Sequence, residues 1–260
     1  MAGSRQIGRT AALVALVTLA AGCDTVLGPT KPDANWRVHD SARFSFFVRP
    51  GSFAEQNVAR LAEVLEDQYS VTVASLDLGY AGHISAFLYN SAADADLMSD
   101  YAGVGYPGTE TFRAVCVPPL DGNLFGLLSH EANHVILKNG LGRPGTFFVS
   151  EGLASTMLSE RFHTYGKTLL YAWTNSHASQ IPPLAALADD AKWNDYPQDV
   201  SYKASASFLA YLLETSGAQR LRQLYYAPSP DFTRRFQEIY GRSLEDAERA
   251  WKEFCANRPG

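Results

Sequence analysis

His130 and His134 stand four residues apart, with Glu131 directly after the first, inside the apolar stretch LLSHEANHVI (127–136). No other feature constrains this chain as much. Four residues is just over one helical turn, so on an α-helix both imidazoles project from one face. Two imidazoles at that spacing can hold one Zn2+ ion. Glu131 is rotated about 100° from His130, given 3.6 residues per turn. Its carboxylate then stands beside an ion rather than on it, where it can take a proton from an attacking water.

A catalytic zinc site takes three protein ligands and keeps a fourth position open. A metzincin would carry glycine at 137 and histidine at 140. Leu137 and Gly140 stand there instead and exclude that class. The segment FFVSEGLAS (147–155) offers Glu151, with 16 residues between it and His134. A helix, a reversing loop and one turn of a second helix bring that carboxylate back to the two imidazoles. The ligand set read from the sequence is therefore His130, His134 and Glu151, with Glu131 as the general base.

The surrounding pattern places this motif late in an α+β chain. RFSFFVRP (43–50), HISAFLYN (83–90) and TFRAVCVP (111–118) have strand composition. Residues 53–76 carry Val58, Leu61, Leu65 and Tyr69 at helical spacing. Residues 92–102 are expected as a short helix and GVGYPGTE (103–110) as a glycine-rich loop. There Gly103, Gly105 and Gly108 serve either as a mobile rim or as a tight connection. The motif helix is expected over 122–139, stopped at Asn139 and Gly140, and the next over 150–161. From 166 onward the chain reads as helical, broken at IPPL (181–184) and NDYPQD (194–199). Phe208, Tyr211, Leu212, Trp251 and Phe254 fall at helical spacing and are expected in the core. Strands first and helices afterward predict a small mixed sheet with a long helix, the motif helix, and a helical C-terminal lobe. The lobes divide near residue 140, within a domain spanning 36–260.

With 260 residues, 46% hydrophobic, the chain can bury a sizeable core. The net charge of −5, with no basic stripe, argues against a nucleic-acid partner. Residues 1–22 carry two arginines, an apolar run and small residues before Cys23, the pattern of an export signal. The ending LAAGC (19–23) resembles a bacterial lipobox. That resemblance implies cleavage before Cys23 and acylation of that residue, which would tether the protein to a membrane surface in the cell envelope. Plain secretion is the alternative. Residues 24–35, DTVLGPTKPDAN, read as a tether. Outside the cytoplasm Cys116 and Cys255 can persist as a disulfide; two separate buried thiols are the alternative.

HEANH followed by SEGLAS resembles the gluzincin metallopeptidases, in which HExxH is followed at this range by EGLA or EGFA. The later stretches SYKASASFLAYLLETSGAQRLRQLYY (201–226) and GRSLEDAERAWKEF (241–254) are similar to those of the bacterial peptidase MA-like domains. The resemblance covers most of 36–255. It implies a thermolysin-like core that holds Zn2+ through His130, His134 and Glu151 and hydrolyses a peptide or protein substrate. It also implies that Tyr202 donates to the oxyanion, and that the edge strand before the motif helix, here 111–117, pairs with the substrate backbone. Tyr202 as a plain core or surface tyrosine, and His177 as the donor instead, stay open. The family places an aspartate where this chain has Ser155, so the partner of the histidine is unassigned among Asp189, Asp190 and Asp195. Pro144 is present, but Phe147 and Phe148 stand where relatives carry tryptophan. No GxMEN-type amine-binding motif precedes the helix; Glu110 is the one candidate there, which favours an endopeptidase. A scaffold lipoprotein that keeps the fold without the chemistry is the competing reading.

Overall fold

The computed structural model describes residues 35–95, 103–106, 109–158, 160–162 and 166–258. Cys23, the export signal, Gly108 and residues 96–102 of the expected short helix lie outside the described residues, as does the tether up to residue 34. Residues 92–95 form a turn.

The chain is α+β. A five-stranded sheet has the order β1-β2-β3-β5-β4. Its strands are β1 (Arg37–Asp40), β2 (Phe44–Val48), β3 (Ile84–Tyr89), β4 (Gly103–Tyr106) and β5 (Thr111–Val115). The three central strands run parallel, and β1 and β4 pair antiparallel at the two ends. Alternation sorts the side chains by face. Phe44, Phe46, Val48, Ile84, Ala86, Leu88, Phe112 and Ala114 point into the main core, all essentially unexposed. On the opposite face Phe47 stacks on Phe87 at 4.4 Å between ring centres, and Trp36 meets Phe87 and Tyr89 edge-on.

Two readings of this region change. GVGY, expected within a loop, is strand β4. The strand at 111–117 is not an edge strand, because β3 and β4 hydrogen-bond to its two sides. The end of the sheet nearest the motif helix is β4. Its glycines allow a close approach that composition alone reads as a turn.

The expected helix at 53–76 is two pieces, α1 (Phe53–Gln56) and α2 (Val58–Ser75), separated at Asn57. The motif helix α3 (Gly122–Leu141) begins where the Asp121 carboxylate accepts from the backbone N–H groups of Asn123 and Leu124. It runs past Asn139 and Gly140 and ends at Gly142. Helix α4 (Phe147–Thr156) starts three residues earlier than expected, because Thr146 caps it by accepting from Val149 N–H. Helices α5 (Lys167–His177), α6 (Leu184–Leu187), α7 (Gln198–Tyr225), α8 (Phe232–Tyr240) and α9 (Leu244–Ala256) follow. Helix α7 is broken at Gly217, whose φ is 80°. Phe208, Tyr211, Leu212 and Trp251 are buried as expected, and Phe254 packs at the core's margin. No helix among the described residues is long and apolar enough to cross a membrane.

Cys116 and Cys255 are free, buried thiols. The pairing is not formed. Cys116 directly follows β5 and its N–H bonds the Tyr89 carbonyl, whereas Cys255 sits on α9 against Ser207.

Candidate metal centre

Helix α3 is held against its neighbours by buried polar side chains. Asn133, the fourth residue of HEANH, is fully buried. Its amide nitrogen donates to the Ala154 carbonyl of α4 at 2.7 Å. Its oxygen accepts from the Thr72 hydroxyl at 2.7 Å and from Gln68 Nε2 at 3.1 Å, both on α2. Gln68 also donates to the Met157 carbonyl just beyond α4. Three helices are thus keyed together along a flank of α3 beside the histidines. Such a network specifies one arrangement because each unpaired member would cost free energy in the core.

That arrangement brings the three expected ligands together. His130 Nε2 and His134 Nε2 are 3.0 Å apart. Glu151 Oε2 is 3.2 Å from the first and 3.1 Å from the second. Among the described residues these three form a group of side chains able to hold a metal ion. The separations have a direct chemical reading. Zinc bonds to nitrogen and oxygen run about 2.0–2.2 Å, so tetrahedral ligands of one ion lie about 3.3 Å from each other. Two imidazole nitrogens and one carboxylate oxygen at 3.0–3.2 Å match that requirement and that donor set. Burial alone would raise the Glu151 carboxyl, but the His134 charge and hydrogen bonds from both imidazoles hold it well below the usual carboxylate range.

Ser155, one turn beyond Glu151 on α4, meets the other nitrogen of His130: Oγ to Nδ1 is 3.2 Å. The serine occupies the place for which no partner was assigned. The aspartates do other work. Asp190 accepts from the Phe147 N–H at the start of α4, Asp189 pairs with Lys192, and Asp195 lies in the short turn 193–195.

Glu131 is 7% exposed. Burial drives its carboxyl up to about 7; the His130 charge opposes this, while Glu151 adds to it. The Gly105 N–H of β4 also bonds to this carboxyl. Strand β4 lies against α3 here so closely that a Cβ on Gly105 would sit 2.9 Å from His134 Cβ and 3.0 Å from the Glu131 carbonyl oxygen. A Cβ on Gly103 would reach Glu131 Cγ at 2.6 Å. Gly103 and Gly105 thus belong to a strand packed on α3, and not to the loop in which the sequence placed them. Sequence reasoning missed their link to Glu131 and His134; the two-residue spacing of the glycines was the available signal. Gly152 of EGLAS serves a similar end, since a Cβ there would meet Leu209 and Ser205 of α7 at 2.7 and 2.9 Å.

Tyr202, in the second turn of α7, stacks on His130 with ring centres 5.8 Å apart, and its ring centre lies 5.9 Å from that of the tilted Trp193 ring. Burial and then the Glu151 carboxylate raise its phenol far above its ordinary value, so it stays protonated and able to donate. His177 is elsewhere: its ring stacks on Trp173, and Nδ1 meets the Ser176 hydroxyl and Trp173 carbonyl. Glu110 is tied to the Tyr80 hydroxyl at 3.1 Å.

No family model matches the chain, and no curated protein matches it. The chemical reading therefore rests on the geometry and on the motifs.

Proposed function

We propose that this chain is a zinc-dependent metallopeptidase of the gluzincin, peptidase MA-like type, tethered to a membrane of the cell envelope through Cys23. The observation that carries the reading is the convergence of His130 Nε2, His134 Nε2 and Glu151 Oε2 within about one ion's reach. These three residues would hold the ion. When bound, zinc supplies a Lewis acid that activates water and polarises a carbonyl.

The remaining chemistry belongs to side chains of this protein. Glu131 takes the proton of the attacking water and returns it to the departing amine. Tyr202, protonated and beside His130, donates a hydrogen bond to the developing oxyanion. Ser155 accepts the Nδ1 proton of His130 and so leaves Nε2 free as a ligand. Strand β4, at the end of the sheet and against Glu131, supports recognition of an extended peptide by strand addition.

The test is metal analysis of the purified full chain together with a peptide-mixture digest. One zinc per chain and cleavage abolished by a chelator are expected. Glu131→Gln should keep the zinc and lose hydrolysis by roughly 10²-fold or more. Zinc without cleavage would favour the scaffold reading. For the tether, radiolabelled fatty acid should enter the wild-type chain and not Cys23→Ser; equal labelling would place the lipid elsewhere.

A further inference from the structure

Among the described residues four large apolar side chains are exposed: Val38, Val117, Leu169 and Tyr226. Two of them, Val38 and Val117, belong to one end of the sheet. Arg37, Val48, Leu88 and Ala114 are register partners across β1, β2, β3 and β5. Trp36 and Val117 therefore flank the same end, about 15 Å apart at the usual strand spacing. Alternation also gives them the same face, the one turned away from the main core. There Trp36 packs on Phe87 and Tyr89, and Val38 stands opposite Phe47. Beyond Val117 the exposed Pro118 and Pro119 lead to the partly buried Leu120, so the turn into α3 is apolar throughout. The cations at this end are already matched. Arg37 meets Glu55 at 2.7 Å, and Arg49, lying over the Trp36 ring, meets Asp94 at 3.5 Å.

We propose that this end of the sheet, with Trp36, Val38 and the turn 117–120, rests on lipid. The inference depends on the tether through Cys23 proposed above and adds a second, apolar contact to it. The tether argues for this occupant. Cys23 and Asn35 are 12 residues apart, so the segment between them spans at most about 40 Å whatever its form. A compact domain of this length is about 45 Å across, which keeps the surface opposite Trp36 off the bilayer. The side chains argue for it as well. A tryptophan ring settles at headgroup level, and valine and proline gain by passing below it. The two arginines can keep their paired heads among the headgroups while their stems follow the apolar surface. Such a patch is weak alone, but a short tether holds it at a local concentration of the order of mM, where a weak contact forms. The turn runs straight into α3, and His130 follows Gly122 by about 12 Å along the helix. The candidate metal centre is thereby kept close to the lipid surface.

The experiment reads depth in phosphatidylcholine vesicles carrying the acylated full chain. A thiol fluorophore is attached at Val38→Cys or at Tyr226→Cys, since Cys116 and Cys255 are buried. Tyr226 is the control: its hydroxyl bonds the Leu141 carbonyl at the far end of α3, about 30 Å along that helix from the turn. Lipid brominated on its acyl chains should quench the label at 38 strongly and leave the label at 226 bright. Val117→Asp should restore most of the emission at 38. Both variants alter exposed side chains, and unchanged circular dichroism confirms the fold. Anionic lipid should alter the quenching little, because Arg37 and Arg49 are paired. Equal quenching at the two positions, none at 38, or quenching that appears only with anionic lipid overturns the inference. A label at 38 that stays bright in vesicles but is shielded in native envelopes assigns the face to a protein and overturns it too. The tether is separable. If Cys23 takes up no fatty acid, the tether fails, and the labelled chain is added to preformed vesicles instead. Quenching at 38 then keeps the lipid-facing end, and its absence sinks both.

Discussion

The Ser155 hydroxyl lies 3.2 Å from Nδ1 of His130, on the side of the ring away from Glu151. A ligating imidazole needs its second nitrogen protonated and directed, and the acceptor for that proton sets ring orientation and basicity. A neutral hydroxyl does this more weakly than a carboxylate. Ser155→Ala should lower zinc affinity by about tenfold, at the weak end of the effect of such partners. Ser155→Asp should restore or exceed wild-type affinity. Competition with a chromogenic chelator reads both, and unchanged affinity in both variants would show that the serine orients nothing.

Zinc should also stabilise the fold, because the three ligands converge only when α3 and α4 are packed. At free zinc a thousandfold above Kd, binding adds about 4 kcal/mol. Thermal unfolding should therefore shift upward with zinc and fall back with chelator. Glu151→Ala should remove most of that increment. A zinc shift of equal size in that variant would move the ion elsewhere.

Asn133 holds the two halves of the site in register through the Ala154 carbonyl and the Thr72 hydroxyl. Asn133→Leu removes the bonds that these buried groups make to Asn133, although the Thr72 hydroxyl still accepts from Gln68; a buried group left unpaired costs about 1–3 kcal/mol. Urea denaturation should show a loss of about 3 kcal/mol. Zinc affinity should fall as well, since the imidazoles and the carboxylate ride on the helices that Asn133 joins. Loss of stability with wild-type zinc affinity would reduce the network to simple packing.

The candidate site was readable because spacing on a helix is a local property: His130, Glu131 and His134 needed only the 3.6-residue turn. Glu151 needed one reversal of the chain, which the Gly-Arg-Pro-Gly stretch at 142–145 advertised. Sheet order is different in kind. Nothing local separates a strand paired on both sides, such as β5, from one at an edge, and β4 was hidden because Gly103 and Gly105 read as loop residues. Their role depends on α3 lying against them, a contact between segments 26 to 30 residues apart. The partnership of Ser155 with His130 was likewise tertiary, although the position itself was flagged by its departure from the family's aspartate.

That close approach of β4 makes a prediction of its own. A methyl group at 105 would press on the Glu131 carbonyl and His134 Cβ, neither of which is the free end of a flexible side chain. Gly105→Ala should cost about 1–3 kcal/mol by overpacking. It should also lower hydrolysis by more than the stability loss explains, because it displaces residues of the proposed metal site and the proposed general base. Full activity in this variant would mean that β4 yields without disturbing α3.

The two buried thiols add a pH dependence on the alkaline side. Burial raises Cys116 to about 12. Burial likewise raises Cys255 to about 11, against the pull of hydrogen bonds from Ser207 and Thr174. Below the ordinary thiol value of 9.0 both states keep these protons, and the thiols contribute no pH dependence. Above it the unfolded chain releases them first while the folded chain retains them. Stability should then fall as pH rises from about 9 through the folded values, and Cys116→Ala should flatten part of that slope. Native protein at pH 8 should react with a thiol reagent at neither Cys116 nor Cys255, and both should react at once in guanidinium. Rapid labelling of the native chain would expose these residues to solvent, whereas no labelling after unfolding without reductant would reinstate the disulfide.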